Sequence, residues 1–308
     1  MAHYLTRRLV LLLPMVVLIS AVVFWAMRLI PVNPAELLLG PFSTPDQQER
    51  AKRELGLDKP IYVQYGIFLK NAVRGDFGRS IKSGKPVTAL IKDTLPNTLL
   101  LGTIALLIAY AIAIPMGMMA AVRQNTLLDQ AAMGFAMLGM AVPHFWLGLL
   151  LILVFAVNLH WFPGSGIGTW KHLVLPALTL GLEGTALTSR MTRSSMLEVL
   201  RQDYVRVARA KGLRESAVIY RHALRNALIP IISLLGLRLG YLVGGAVVVE
   251  AIFAWPGIGR LLVDSILARD YPVVQGVLVM LGLSVIFANL LADVLYAFAD
   301  PRIKEARH

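Results

Sequence analysis

Six apolar stretches set the terms on which this chain can fold. Residues 9–30, 97–121, 127–159, 229–253 and 273–298 are dominated by Leu, Ile, Val, Ala, Met and Phe, and a further run over 173–187 continues to Arg190 and Arg193. A helix needs about 20 apolar residues to cross the hydrocarbon core of a bilayer, and within lipid only helices and closed barrels satisfy every backbone polar group. The expected fold class is therefore an all-α membrane protein with six transmembrane helices. Composition agrees. Of 308 residues, 57% are hydrophobic and 16% charged, with a mean hydropathy of +0.67, too apolar for a soluble domain. A formal net charge of +12 raises nucleic acid as a partner, but no aromatic platform interleaves with the basic residues, which argues against it. The absence of cysteine excludes disulfides, thiolate metal sites and cysteine nucleophiles.

The distribution of basic residues sets the topology. With six spans both termini share one side. That side holds Arg7, Arg8, Arg123, nine residues from Arg190 to Arg225, and Arg302, Lys304 and Arg307, which is half of the thirty basic residues. The two short loops opposite hold only Lys171, Arg260 and Arg269. By the positive-inside rule both termini and the basic loop are cytoplasmic. The first run is longer than a signal-peptide core and lacks a small-residue cleavage site, so it reads as a retained span. Arg28 sits where it can snorkel to the interface.

Residues 31–95 differ in character. Pro31, Pro34, Pro41, Pro45, Pro60 and Pro86 punctuate a polar segment that reads as a small folded loop region against the membrane face. A short helix is expected over 44–55, with Thr44 as N-cap, Pro45 in the first turn and Gly56 beyond the end. Gly75 and Gly78 suggest tight turns. Further along, Pro115 should kink the second span and Pro143 should break the third. Met133, Met137 and Met140 share a helical spacing that reads as packing. Residues 160–170 form an aromatic belt, with His160 and His172 interfacial and no ligand spacing for a metal. Gly236, Gly240 and Gly244 form overlapping GxxxG pairs that let helices approach closely. An outer connection over 254–272 carries a short helix of its own.

The most basic stretch, residues 203–230, has no catalytic constellation. Met196, Leu200, Tyr204 and Val207 fall on one helical face, and Ala217, Tyr220, Leu224 and Ala227 repeat the pattern. Gly212 is a natural C′ residue with Leu213 as the apolar C″ of a Schellman-type stop. The result is a helix–turn–helix carrying Arg206, Arg209, Lys211, Arg214, Arg221 and Arg225. On residues alone, a loop that only fixes topology and a docking element for a soluble partner both fit.

The residues themselves carry a resemblance. Tyr204-Val205-Arg206-Val207-Ala208-Arg209-Ala210-Lys211-Gly212, followed by His222-Ala223-Leu224-Arg225-Asn226-Ala227-Leu228-Ile229-Pro230, resembles the EAA loop of ABC-importer permeases in its dipeptide/oligopeptide/nickel version. Arg206-Val207-Ala208 stands where many permeases carry Glu-Ala-Ala, a departure that resembles the peptide-type branch. Leu55-Gly56-Leu57-Asp58-Lys59-Pro60 with Gln64-Tyr65, Arg74-Gly75-Asp76-Phe77-Gly78-Arg79-Ser80, and Leu29-Ile30-Pro31 before Asn33-Pro34 resemble the first of the two permease subunits in peptide importers. The resemblance implies the type I importer permease fold. Residues 1–96 would form the first transmembrane helix and an extracytoplasmic loop region. Residues 97–308 would form a permease core with its coupling loop at about 200–230. Tyr204, Val205, Arg206, Ala208, Arg209, Ala210, Lys211, Gly212 and Leu213 would form the coupling helix that docks on an ATPase subunit. The implied partners are a homologous second permease, two ATPase subunits, an extracytoplasmic substrate-binding protein and membrane lipid, in a prokaryotic plasma membrane. The implied cargo is di- or oligopeptide, with nickel chelates, glutathione or haem as alternatives. No cofactor is expected on this chain. It lacks a Gly-x-x-x-x-Gly-Lys-Ser/Thr phosphate loop, so ATP and Mg2+ belong on the partners and the chain is expected to be non-catalytic.

Ionisable groups within spans are costly unless paired or facing water. Glu183 and Arg238 lie deep enough to be candidates for lining a pathway, whereas Asp293 reads as a structural group at the inner end of the last span. An ion-coupled secondary transporter would need a relay of carboxylates, and Glu183 is nearly alone. An intramembrane enzyme would need a paired base, and His144 has no partner by spacing.

Overall fold

The computed structural model describes residues 2–29, 44–54 and 58–299. In chain order the helices are α1 (Ala2–Arg28), α2 (Pro45–Glu54), α3 (Ile61–Val73), α4 (Val87–Val122), α5 (Leu127–Ala141) and α6 (His144–Leu151). A π-helical turn, Ile152–Asn158, extends α6. Then follow α7 (Lys171–Leu200), α8 (Asp203–Ala210), α9 (Glu215–Ala217) and a second π-helical turn, Val218–Ala223. The chain continues as α10 (Leu224–Gly244), α11 (Val247–Ile252), α12 (Ile258–Leu267) and α13 (Tyr271–Ala299). Among the described residues there is no strand, only an isolated bridge between Arg79 and Pro86. Pro31, Asn33, Pro34, Pro41, Gly56 and Asp300-Pro301-Arg302 lie outside the described residues, as do the surroundings of Gly240 and the side chain of Asp293.

Each expected span is represented by a helix: α1, α4, the α5–α6 pair, α7, α10 and α13. By length and composition three helical stretches among the described residues qualify outright: Val87–Val122, Glu215–Gly236 and Tyr271–Ala292. The third expected span is broken more sharply than a kink. Its two halves, Leu127–Ala141 and His144–Asn158, meet at 106° where Val142 turns extended ahead of Pro143. Conversely, α4 runs unbroken through Pro115. At 30 residues α7 is long enough to cross, about 45 Å. Its hydropathy is diluted by Thr179, Thr185, Thr188, Ser189 and Thr192, all buried inside the protein rather than facing lipid.

The chain divides into two compact units. In the first, residues 1–96 and 257–286, α1 packs on α3. Buried Phe24 packs at a tilt against Tyr65, ring centroids 5.4 Å apart, and Phe68, 5.7 Å apart, and the Tyr65 hydroxyl donates to the Val17 carbonyl at 3.0 Å. Thr44 caps α2 as expected: its hydroxyl accepts from Gln47 N at 3.4 Å, while Gln47 Oε1 accepts from Thr44 N at 2.9 Å, a reciprocal capping box. Gly75 and Gly78 adopt positive φ in the tight turns read from the sequence. The turn beyond them is pinned by Asp270. This buried carboxylate accepts from the Ser80 hydroxyl at 2.5 Å, Ile81 N at 3.0 Å and Lys82 N at 3.3 Å. Beneath lies a core of Val87, Ile91, Ile258, Leu262, Val273, Val274 and Val277.

The second unit, residues 97–256 with 287–308, is built around α7. Small and hydroxyl residues on α7 repeat every four positions, as Gly181, Thr185 and Ser189 and again as Gly184, Thr188 and Thr192, and all are buried. Such rows let backbones touch and supply hydroxyls that satisfy the helix's own carbonyls, as Thr179, Thr185 and Thr192 do at 2.7–2.9 Å. The approach to α4 is closest at Gly117, where an added Cβ would overlap the Ser189 carbonyl and come within 2.6 Å of Thr192 Cβ. At the end of α7, Met196 is buried with Met118, Ala121, Ala223 and Ala227. An ion pair ties α7 to α5: Arg193 donates through Nε to Asp129 Oδ1 at 2.6 Å and through Nη2 to Oδ2 at 2.7 Å. The methionine row on α5 faces outward instead of packing in this chain's core, with Met137 and Met140 exposed.

Candidate functional site

Two features of the second unit stand out. The first is the basic turn. The helix α7 stops at Leu200, and the extended Gln202 redirects the chain into α8. Asp203 lies in the first turn of α8, where a carboxylate complements the helix dipole. The stop at Gly212 has the hydrogen bonds of a Schellman motif. Leu213 N donates to Ala208 O at 3.4 Å, Gly212 N donates to Arg209 O at 2.9 Å, and Gly212 sits at φ +75°, a conformation that costs glycine nothing. The chain then reverses, and a fork closes across the turn: Arg209 donates to Glu215 through Nε at 3.2 Å and Nη2 at 2.7 Å. That fork holds the Glu215 carboxyl below the usual glutamate range and raises Arg209. A second clasp, Asn226 Nδ2 to Tyr204 Oη at 2.7 Å, joins α8 to α10.

Burial corrects the face read from the sequence. Met196 and Leu200 belong to α7, and the break at Arg201-Gln202 changes the phase, so Tyr204 and Val207 do not continue their stripe. Both are exposed, and α8 turns Val205 and Ala208 inward against Val199, Leu200 and Val218. Beyond the turn, Tyr220 is exposed, and the buried positions are Val218, Ala223 and Ala227. The π-helical turn explains the shift, because it inserts a residue and stretches the spacing from four to five. Of the residues singled out, Tyr204, Arg206, Arg209, Ala210, Lys211, Gly212 and Leu213 face outward together. Arg214, Arg221 and Arg225 are exposed beside them.

The second feature is a cavity of about 430 Å3. Its walls combine the bulkier Leu106, Leu180 and Val248 with many small residues, Gly102, Ala105 and Ala109 of α4, Gly181 and Gly184 of α7, and the non-helical Gly245 and Ala246 between α10 and α11. Three ionisable side chains border it. Glu183 Oε2 lies 2.8 Å from His144 Nε2, and Glu183 Oε1 lies 3.5 Å from Arg238 Nη1. The structure thus brings Glu183 and Arg238 together and gives His144 a partner that its spacing does not show, while neither partner of Glu183 is a second carboxylate. Sequence spacing could not find His144, because the partners lie on different helices; the mark it left was a histidine directly after a helix-breaking proline. Glu250, near the outer end of the fifth expected span, is a further carboxylate of this unit. It is fully buried and accepts from the Thr98 hydroxyl at 2.6 Å. Among the described residues no three of His, Cys, Asp and Glu gather to hold a metal.

Comparison with known proteins places these features in context. Residues 113–305 match the family described as binding-protein-dependent transport system inner membrane component. Residues 1–102 match the corresponding N-terminal family. The chain is 44% identical over 315 residues to the oligopeptide transport system permease protein AppB of Bacillus subtilis (strain 168), covering 99% of this chain and 100% of that protein. It is 43% identical over 304 residues to the glutathione transport system permease protein GsiC of Escherichia coli (strain K12), covering 99% of each. Among solved structures, the MetNI methionine ABC transporter in an inward-facing conformation aligns with a TM-score of 0.59 at 18% identity, over 68% of this chain and 96% of that one. An amino acid ABC transporter with histidines aligns at 0.52 and 15%, over 68% and 94%. At these identities the likeness is one of fold.

Proposed function

Because the chain belongs to the binding-protein-dependent transport system inner membrane component family, as a permease subunit of an ABC importer, we infer that it forms half of a translocation pathway for di- and oligopeptides. The observation that carries this reading is 44% identity to an oligopeptide permease along essentially the whole chain. Glutathione is the second reading, favoured by the 43% identity to GsiC, and glutathione is itself a peptide. In this account the chain pairs with a homologous permease, two ATPase subunits that carry ATP and Mg2+, and an extracytoplasmic substrate-binding protein. Its termini and basic turn lie in the cytoplasm.

Mechanistically, the exposed face of α8 from Tyr204 to Leu213 docks on an ATPase subunit. Closure of the ATPases moves α8, and α7 carries that motion because only two residues, Arg201 and the extended Gln202, join them. The Arg209–Glu215 fork and the Tyr204–Asn226 clasp make the turn rigid enough to transmit force to α10. Glu183 and Arg238 line the pathway deeper in, where α7 and α10 move relative to each other. The importer is then a two-state machine biased by differential contacts of nucleotide and binding protein.

The test is Gly212→Val. A β-branched residue at φ +75° is strained and breaks the stop, so co-purification with the ATPase subunits and ATP-driven uptake should both fall. Unchanged assembly and uptake would remove the docking role. Competition of labelled oligopeptide uptake by glutathione separates the two substrate readings.

A further inference from the structure

From the charge arrangement around the cavity, we propose that it is a subsite for the charged termini of a short peptide, with Arg238 taking the carboxylate and Glu183 the ammonium group. The inference rests on the peptide-importer reading and specifies how the pathway recognises its cargo.

Three observations carry it. First, the two groups are unequally engaged. Glu183 is held tightly by His144 at 2.8 Å, while Arg238 reaches Glu183 only at 3.5 Å. A guanidinium has five donors and forms charge-assisted bonds to carboxylates at about 2.7–2.9 Å, and Arg193 and Arg209 each reach a carboxylate oxygen at 2.7 Å elsewhere in this chain. Arg238 therefore has capacity for a second carboxylate, and its side chain is only 16% exposed, where such a contact is strong. Secondly, acid and base stand on different helices, Glu183 on α7 and Arg238 on α10, so a zwitterion entering between them replaces one ion pair by two. The resident pair stands in for the cargo when the cargo is elsewhere. Exchange is then nearly balanced, which lets a substrate enter without becoming trapped. Thirdly, glycine and alanine form much of the remaining wall, the non-helical Gly245 and Ala246 among them. Such a wall leaves space for varied side chains while the termini are fixed. The volume, about 430 Å3, falls within the usual range of small-ligand sites.

His144 is a positioning residue in this account. Its bond to Oε2 fixes the Glu183 carboxylate, leaving Oε1 for Arg238 or an ammonium group.

The test reads the cavity apart from the binding protein. The assembled complex in nanodiscs, without nucleotide or binding protein, is titrated with labelled dialanine, its C-terminal amide and its N-acetyl form. The wild type should bind dialanine roughly tenfold or more tighter than either blocked form, the loss expected for one charge-assisted contact. Arg238→Gln should lower affinity for dialanine and the N-acetyl form while leaving the amide unchanged. Glu183→Gln should lower affinity for dialanine and the amide while leaving the N-acetyl form unchanged. A merely structural ion pair would weaken all three ligands alike. That result, equal binding of the three ligands by the wild type, or no binding of dialanine, overturns the proposal. ATP-driven peptide uptake by the same wild-type preparation would then leave the importer reading standing, whereas absence of uptake would remove that reading itself.

Discussion

Breaking the Asp129–Arg193 fork should cost unequal amounts from its two ends. Asp129 sits in the first turn of α5 with its side chain 5% exposed, whereas Arg193 is 24% exposed near the end of α7. Removing one partner of a buried pair costs about 3–5 kcal/mol, because the other charge remains without compensation. After Asp129→Ala the Arg193 side chain can extend toward water, which places that variant near the lower end, about 3 kcal/mol. Asn125 N also loses the acceptor it holds at 3.0 Å. After Arg193→Ala the buried carboxylate keeps only that amide and the favourable end of the helix dipole, which places the loss near the upper end, about 5 kcal/mol. The double variant should cost less than the sum, with a coupling of at least about 2 kcal/mol. The assay is a double-mutant cycle on the assembled complex, with stability read from unfolding in mixed micelles. A loss for Arg193→Ala no larger than that for Asp129→Ala would refute the reasoning. Coupling below about 0.5 kcal/mol would refute it too, since that is the behaviour of an exposed pair.

Further predictions follow from the close contacts and the loops. Gly117→Val should lower the yield of monodisperse complex sharply, because the new side chain meets α7 backbone that cannot move aside. Gly184→Ala, whose Cβ would lie 3.2 Å from Ala109 Cβ, should be much milder on the same size-exclusion assay. Asp270→Ala strips acceptors from the Ser80 hydroxyl and from Ile81 and Lys82 N–H, so it should cost about 3 kcal/mol and speed hydrogen exchange at those two amides. The fork across the basic turn should be stable to mild acid. The folded Glu215 titrates below its ordinary value of 4.5, so the stabilisation is present above that value and is lost only as pH falls through the lower folded one. Limited proteolysis at the turn against pH should show that onset, and Arg209→Gln should move it upward.

Local signals were legible in the sequence where one turn of chain decides the outcome. The Thr44 cap and the Gly212 stop are both readable because donor, acceptor and backbone preference lie within six residues of one another. The spans were readable from length and apolar content, α7 least clearly, since its polar residues are buried against other helices. Phase was lost wherever the helix was interrupted. A four-residue count puts Tyr204 and Val207 on the face of Met196 because it cannot register the break at Gln202, and it misses Tyr220 because a π-helical turn has no strong sequence mark. Long-range pairs were invisible for another reason. Asp129 and Arg193 are 64 residues apart, and nothing local to either specifies the other. The same holds for His144 and Glu183, which meet only because the chain turns through 106° ahead of α6. The outward-facing methionines of α5 show the limit of reading apolar periodicity as this chain's own core, since lipid or a second subunit asks for the same residues.

The central claim is that this chain passes peptides across a membrane under the drive of ATP hydrolysed elsewhere in its complex. The direct measurement is uptake of a short labelled peptide into proteoliposomes holding the complete complex, with its binding protein outside and ATP within. The account predicts accumulation that stops when either ATP or the binding protein is left out. Accumulation that continues without both, or follows an ion gradient instead, would contradict it.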